Sequence, residues 1–63
     1  MNELANMLVR YRAKYRLTQK ELAKQCGVST MTISNIERNI QKPNRVTLIK
    51  VLMVVGEGEK NEG

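Results

Sequence analysis

The sequence predicts an all-α chain, a compact bundle of four helices, and three observations carry that prediction. Apolar residues recur at the three- and four-residue spacing of a helix face in separate segments of the chain. Capping residues and a glycine divide those segments from one another. No stretch shows the apolar–polar alternation of a half-buried strand, and no internal repeat is present. At 63 residues the chain holds one domain with a small core.

The first helix is capped by Asn2, with Glu3 in its first turn, where the helix dipole favours negative charge. Leu4, Leu8, Tyr11 and Tyr15 form its apolar stripe, with Met7 beside them, and it ends near Lys14 or Tyr15. Tyr11 fits the core better than a base-stacking role, and Tyr15 fits either. Arg10, Lys14 and Arg16 fall toward solvent.

Thr18 opens the second helix as a capping box with Glu21, each side chain satisfying the other's backbone N–H. Leu22 and Ala23 face inward, and Gly27 ends the helix because glycine enters the left-handed region freely. Ser29 caps a third helix, from about Thr30 to Glu37 or Arg38. A loop from Asn39 to Pro43 leads to a fourth helix, expected from Pro43–Asn44 to about Val55 with Gly56 as its stop. The domain is expected to span residues 1–56, with residues 57–63, Gly- and Glu-rich, as a disordered polar tail.

The formal charge is +5, and ten of the eleven Lys and Arg residues precede residue 51, so the folded body is more basic than the total. A positive field on so small a domain suits a polyanion. The chain has no histidine and a single cysteine, Cys26, which leaves no intrachain disulfide, no zinc site and no His-based catalytic set. The few acids are scattered, so no carboxylate pair is expected either. The expectation is therefore a protein without enzymatic activity, cofactor or metal, with no evident small-molecule ligand. Residues 1–8 lack the apolar run of a signal peptide, and the longest apolar run, residues 51–55, is too short to span a bilayer. A cytoplasmic protein is expected. Cys26 before the turn reads as a small packed side chain rather than a redox switch.

The third helix carries the chemistry. On a helical wheel Ile33 and Ile36 share one side, with Glu37 flanking them, while Met31, Asn35 and Arg38 lie opposite with Ser34 next to them. Thr30 lies in the first turn, off the apolar side. An ordinary solvated face would be rich in Lys and Glu, which favour helix and solubility. This face instead offers hydroxyls, an amide, a thioether and a guanidinium, groups suited to base edges in a major groove. Two short helices around a glycine turn, the second bearing such a face, form the layout of a helix-turn-helix.

The residues Thr18, Gln19, Leu22, Ala23, Gly27, Val28, Ser29, Ile33, Ser34 and Glu37, followed by Pro43, resemble the Cro/repressor-type helix-turn-helix family, also called XRE, across about residues 4 to 56. The resemblance implies a phage repressor-like fold and a sequence-specific DNA-binding transcriptional regulator. It places Thr30, Met31, Ser34 and Asn35 at base-reading positions. Thr18 and Gln19, and then Arg38, Asn39, Lys42 and Arg45, fall where the family grips phosphates, Gln19 also buttressing the third helix. Arg12 and Glu37 match a structural ion pair, and the position of Glu37 beside the apolar side independently calls for a partner.

The family's common fifth helix is not expected here. In the fourth helix Leu48, Val51, Leu52 and Val55 share one side and are expected in the core, while Val46, Ile49 and Met53 form a second apolar stripe. That second stripe implies a partner, most simply a second copy of the chain, against the alternative of a small patch left exposed on a monomer. A homodimer reading a palindromic operator in double-stranded DNA is the expected assembly, with repression by steric exclusion. A DNA-binding antitoxin, or another interaction subunit with a protein partner, is the alternative.

Overall fold

The structure, a computed structural model, describes residues 3–60, with side chains to Gly56. The expected cap at Asn2 and residues 61–63 lie outside the described residues. Four helices follow in order: α1 Glu3–Tyr15, α2 Gln19–Cys26, α3 Thr30–Glu37 and α4 Arg45–Lys60. No strand occurs among the described residues.

The starts of the helices follow side-chain chemistry. Thr18 Oγ1 accepts from the Glu21 N–H at 3.0 Å, and Glu21 Oε1 accepts from the Thr18 N–H at 2.8 Å, closing the capping box. Ser29 Oγ accepts from the Thr32 N–H at 3.1 Å, and Asn44 Oδ1 accepts from the Thr47 N–H at 2.8 Å.

Three helices end alike. A residue just past each end stands in the left-handed region: Arg16 at φ 56, Gly27 at φ 75 and, one further on after the right-handed Arg38, Asn39 at φ 57. The next N–H reaches back five residues, from Leu17 to Arg12 O at 2.9 Å, Val28 to Ala23 O at 3.0 Å, and Ile40 to Asn35 O at 3.0 Å. This is the Schellman closure, which satisfies carbonyls that the helix leaves over. The returning residues Leu17 and Val28 are also apolar and pack against the core.

Every helix contributes to one core. Leu8 comes from α1, Leu22, Ala23 and Cys26 from α2, Ile33 and Ile36 from α3, and Val51 and Val55 from α4. No polar side chain is buried with them among the described residues. Tyr11 packs against this core and Tyr15 leans on Tyr11, ring centroids 4.6 Å apart, with its outer part in solvent. Burial raises the Cys26 thiol above its ordinary pKa, which keeps it protonated and unreactive in the neutral range.

Three expectations for α4 are corrected. Leu52 is exposed rather than in the core. Val51 and Val55 set the inward direction and the half-buried Val54 packs beside them, whereas Leu48, also expected in the core, is only half-buried and stands outside it, and Leu52 lies about 100° from Val51 at the rim. Gly56 does not stop the helix, which continues to Lys60. A glycine ends a helix when its backbone turns left-handed; Gly56 is not among the positive-φ residues, and glycine within a helix costs only about 1 kcal/mol.

The left-handed termini yield a reciprocal prediction. Arg16→Gly removes Cβ strain worth about 1–2 kcal/mol and adds unfolded-chain entropy of about 0.5–1 kcal/mol. The thermal midpoint is expected to rise by a few degrees. Gly27→Ala is expected to lower it, although space around Gly27 is open, because the cost lies in the backbone. A fall for Arg16→Gly would remove the strain argument.

Candidate nucleic-acid interface

The support of the site is a charged cluster behind α3. Arg12 Nε donates to Glu37 Oε2 at 2.7 Å and Arg12 Nη2 donates to Glu37 Oε1 at 2.8 Å, a two-pronged contact. Gln19 Nε2 donates to the same Oε1 at 2.9 Å. Arg12 Nη1 donates to Leu17 O at 3.2 Å. The Glu37 side chain is only 6% exposed, so these donors replace nearly all of its water. The hydrogen bond to Glu37 raises the pKa of Arg12, burial opposes this, and the charge of Glu37 adds to it. A raised cationic pKa means that the stabilisation holds below the guanidinium's ordinary value and is lost only in stronger alkali.

With Glu37, Ile33 and Ile36 turned inward, the rest of α3 faces out. Thr30 and Met31 are exposed, Met31 at 72%, and Ser34 and Asn35 are half-buried beside them. Thr32 is drawn back to the cap, its Oγ1 2.9 Å from Ser29 Oγ. The residues expected to read bases thus share one outward surface. Those expected to grip phosphates divide into two groups. Thr18 and Gln19 stand at the start of α2, where the N-terminal backbone donors favour an anion. Arg38, Asn39, Lys42 and Arg45, all exposed, follow α3 through the loop into α4. The hydroxyl of Thr18 and the amide of Gln19 already hold structural bonds, so both residues also build the scaffold.

On α4, Val46, Ile49 and Met53 are 61%, 51% and 69% exposed, and Leu52 adjoins them at 38%. Sequence reasoning missed Leu52 here and, in the site, Gln41, whose Oε1 lies 3.4 Å from Asn35 Nδ2. Residues 35 and 41 straddle the end of a helix, where face periodicity gives no guide to proximity.

Among the described residues no group of His, Cys, Asp or Glu could hold a metal ion, and no helix is long and apolar enough to cross a membrane. A third helix propped from behind by an ion pair and flanked by basic residues, following a glycine turn from a capped helix, has the layout of a helix-turn-helix domain of the DNA-binding class. The chain belongs to the Helix-turn-helix family, XRE type, whose profile matches residues 8–58. It is a DNA-binding helix-turn-helix regulator of a family that is not enzymatic.

Among curated relatives, an uncharacterized HTH-type transcriptional regulator of Methanocaldococcus jannaschii is 40% identical over 53 residues, covering 84% of this chain and 80% of its own length. Antitoxin HipB of Escherichia coli K12 is 40% identical over 50 residues, covering 79% of this chain and 57% of its own. The corresponding antitoxin of strain CFT073 is also 40% identical over 50 residues, with 53% of its length covered. The chain thus spans little more than half the length of those antitoxins. No solved structure matches it at comparable significance.

The partly buried pair, with Glu37 nearly enclosed, predicts a large effect from losing one partner. Arg12→Ala leaves the Glu37 carboxylate with one side-chain donor, Gln19, and is expected to cost about 2–3 kcal/mol. For so small a domain this is a fall of about 10–20 °C in thermal midpoint. Arg12→Lys, which keeps the charge without the fork, should fall between. An unchanged midpoint for Arg12→Ala would show that the pair carries no structural weight.

Proposed function

We propose that this chain is a sequence-specific transcriptional repressor that binds a palindromic operator as a dimer and acts by excluding polymerase. The observation that carries this reading is the outward face of α3, where Thr30, Met31, Ser34 and Asn35 stand clear of the core while Glu37 anchors the opposite side. Asn35 suits adenine, Ser34 and Thr30 suit several base edges, and Met31 offers apolar contact to a thymine methyl. Arg38, Asn39, Lys42 and Arg45, with Thr18 and Gln19, hold the phosphates on either side and set the register. None of these contacts needs a cofactor or a bound small molecule.

The dimer reading rests on the exposed apolar stripe of Val46, Ile49 and Met53. A second copy covering that stripe would place two α3 helices on one face of the duplex, in major grooves about 34 Å apart. The same stripe, together with the likeness to antitoxin HipB, supports a second reading: a DNA-binding antitoxin whose α4 face meets a protein partner. Co-purification of a neighbouring gene product would favour that reading over a homodimer. A cytoplasmic location accompanies either reading.

Selection of bound fragments from random DNA gives the operator, and binding to it then separates the roles. Asn35→Ala is expected to cost about 1–3 kcal/mol at one base pair and to relax the preference there. Lys42→Ala should weaken all sequences alike and reduce the salt slope by about one. Equal losses on specific and random DNA for both variants would remove base reading by Asn35.

Sedimentation tests the assembly. Ile49→Asp or Met53→Asp should shift a dimer toward monomer and weaken operator binding together. A wild-type chain that stays monomeric on the operator, with both variants indistinguishable from it, would rule out this interface.

A further inference from the structure

We propose that Gln41 sets the base preference of Asn35 by holding its side-chain amide in one orientation. The inference rests on the reading of Asn35 as a base-contacting residue and specifies how that contact discriminates.

The backbone brings the two residues together. Asn39 turns the chain back at the end of α3 with φ 57, and the Ile40 N–H closes onto Asn35 O at 3.0 Å. Gln41 is thereby carried over the residue whose carbonyl made the turn. There Asn35 Nδ2 donates to Gln41 Oε1 at 3.4 Å, a long bond whose consequence is direction more than strength. The far end of the loop is held by Asn44 Oδ1 on the Thr47 N–H, and Pro43 stiffens the stretch between. Asn35 and Gln41 line one side of a polar hollow of about 160 Å³ between α3 and the start of α4, with Thr32 and Thr47 also on its walls.

The bond changes what Asn35 can offer a base. A free amide carries two N–H donors and a carbonyl acceptor. With one hydrogen committed to Gln41, one donor and one acceptor remain. Adenine presents an N6 donor and an N7 acceptor in the major groove and matches that pair. Guanine presents two acceptors, O6 and N7, and can be met by only one bond. Without Gln41 the amide is free to turn both N–H groups toward guanine. Gln41 is thus a positioning residue whose effect falls on the adenine-over-guanine ratio at the base pair Asn35 reads.

Selection from random DNA with wild type, Asn35→Ala, Gln41→Leu and Gln41→Glu tests this. The pair that becomes degenerate with Asn35→Ala identifies the position. Wild type should prefer adenine there. Gln41→Leu should lower the adenine-over-guanine ratio about tenfold at that pair and leave the other positions unchanged. Gln41→Glu keeps an acceptor for Asn35 Nδ2 and should retain the preference, with weaker binding overall from its added charge. Gln41 is exposed, and matching melting curves confirm that the variants fold. An unchanged ratio in Gln41→Leu overturns the proposal. So does an equal loss on all sequences, which marks a phosphate contact, or a loss at a pair that Asn35→Ala leaves intact, which marks direct reading by Gln41. A wild-type chain that enriches no sequence instead fails the functional reading itself, before any variant is compared.

Discussion

The carboxylate of Glu37 is a charged group almost wholly removed from water, and the relative placement of three helices follows from keeping it satisfied. Its donors come from different elements: Arg12 from α1 in two prongs, and Gln19 from the first turn of α2. A desolvated charge tolerates little misalignment, because each lost donor leaves the full desolvation cost behind. Apolar contacts are far less particular about direction. The core brings α1, α2 and α3 together; the Glu37 cluster fixes their mutual orientation, and with it the direction in which Thr30, Met31, Ser34 and Asn35 point. Arg12 extends the same cluster to the turn before α2 through Leu17 O.

The core and the turns divide the remaining work. Leu8, Leu22, Ile33, Val51 and Val55 are fully buried, one each from α1, α2 and α3 and two from α4, so no helix can leave without opening the whole core. With so little apolar area to bury, stability in a chain of this size is thin, and the local closures matter more than they would in a larger domain. Three left-handed termini and three polar N-caps satisfy backbone groups that the short helices would otherwise leave to solvent.

Most of the fold was legible because its signals are local and chemical. Thr18 with Glu21, Gly27 and Ser29 each act within a few residues, and each marks a boundary that the structure keeps within a residue. Glu37 was legible as a charge beside an apolar face, and Arg12 as its partner by resemblance. Arg16 and Asn39 make the same turn as Gly27; asparagine enters the left-handed region more readily than most residues, but arginine gives no sign of it, and the closure there is imposed by the segments on both sides. Leu52 was misplaced because the inward direction of α4 depends on Val51 and Val55 meeting the other helices, which a wheel drawn on α4 alone does not contain. Gly56 was read as a stop from its type, whereas a stop depends on the conformation it takes. Gln41 was silent because its neighbour Asn35 is reached through a turn rather than along a face.

The loop between α3 and α4 is fastened at both ends by its own bonds, Ile40 to Asn35 at one and Asn44 to Thr47 at the other. Its exposed side chains, Gln41 and Lys42 included, therefore stand on a backbone that is already in place before any partner arrives. Association then orders side chains and releases counterions without folding a segment. Its heat-capacity change should track the surface covered and carry no added contribution from coupled folding. Encounter is governed by orientation and charge, with no conformational step to wait for. A mobile loop of the same composition would trade that readiness for adaptability.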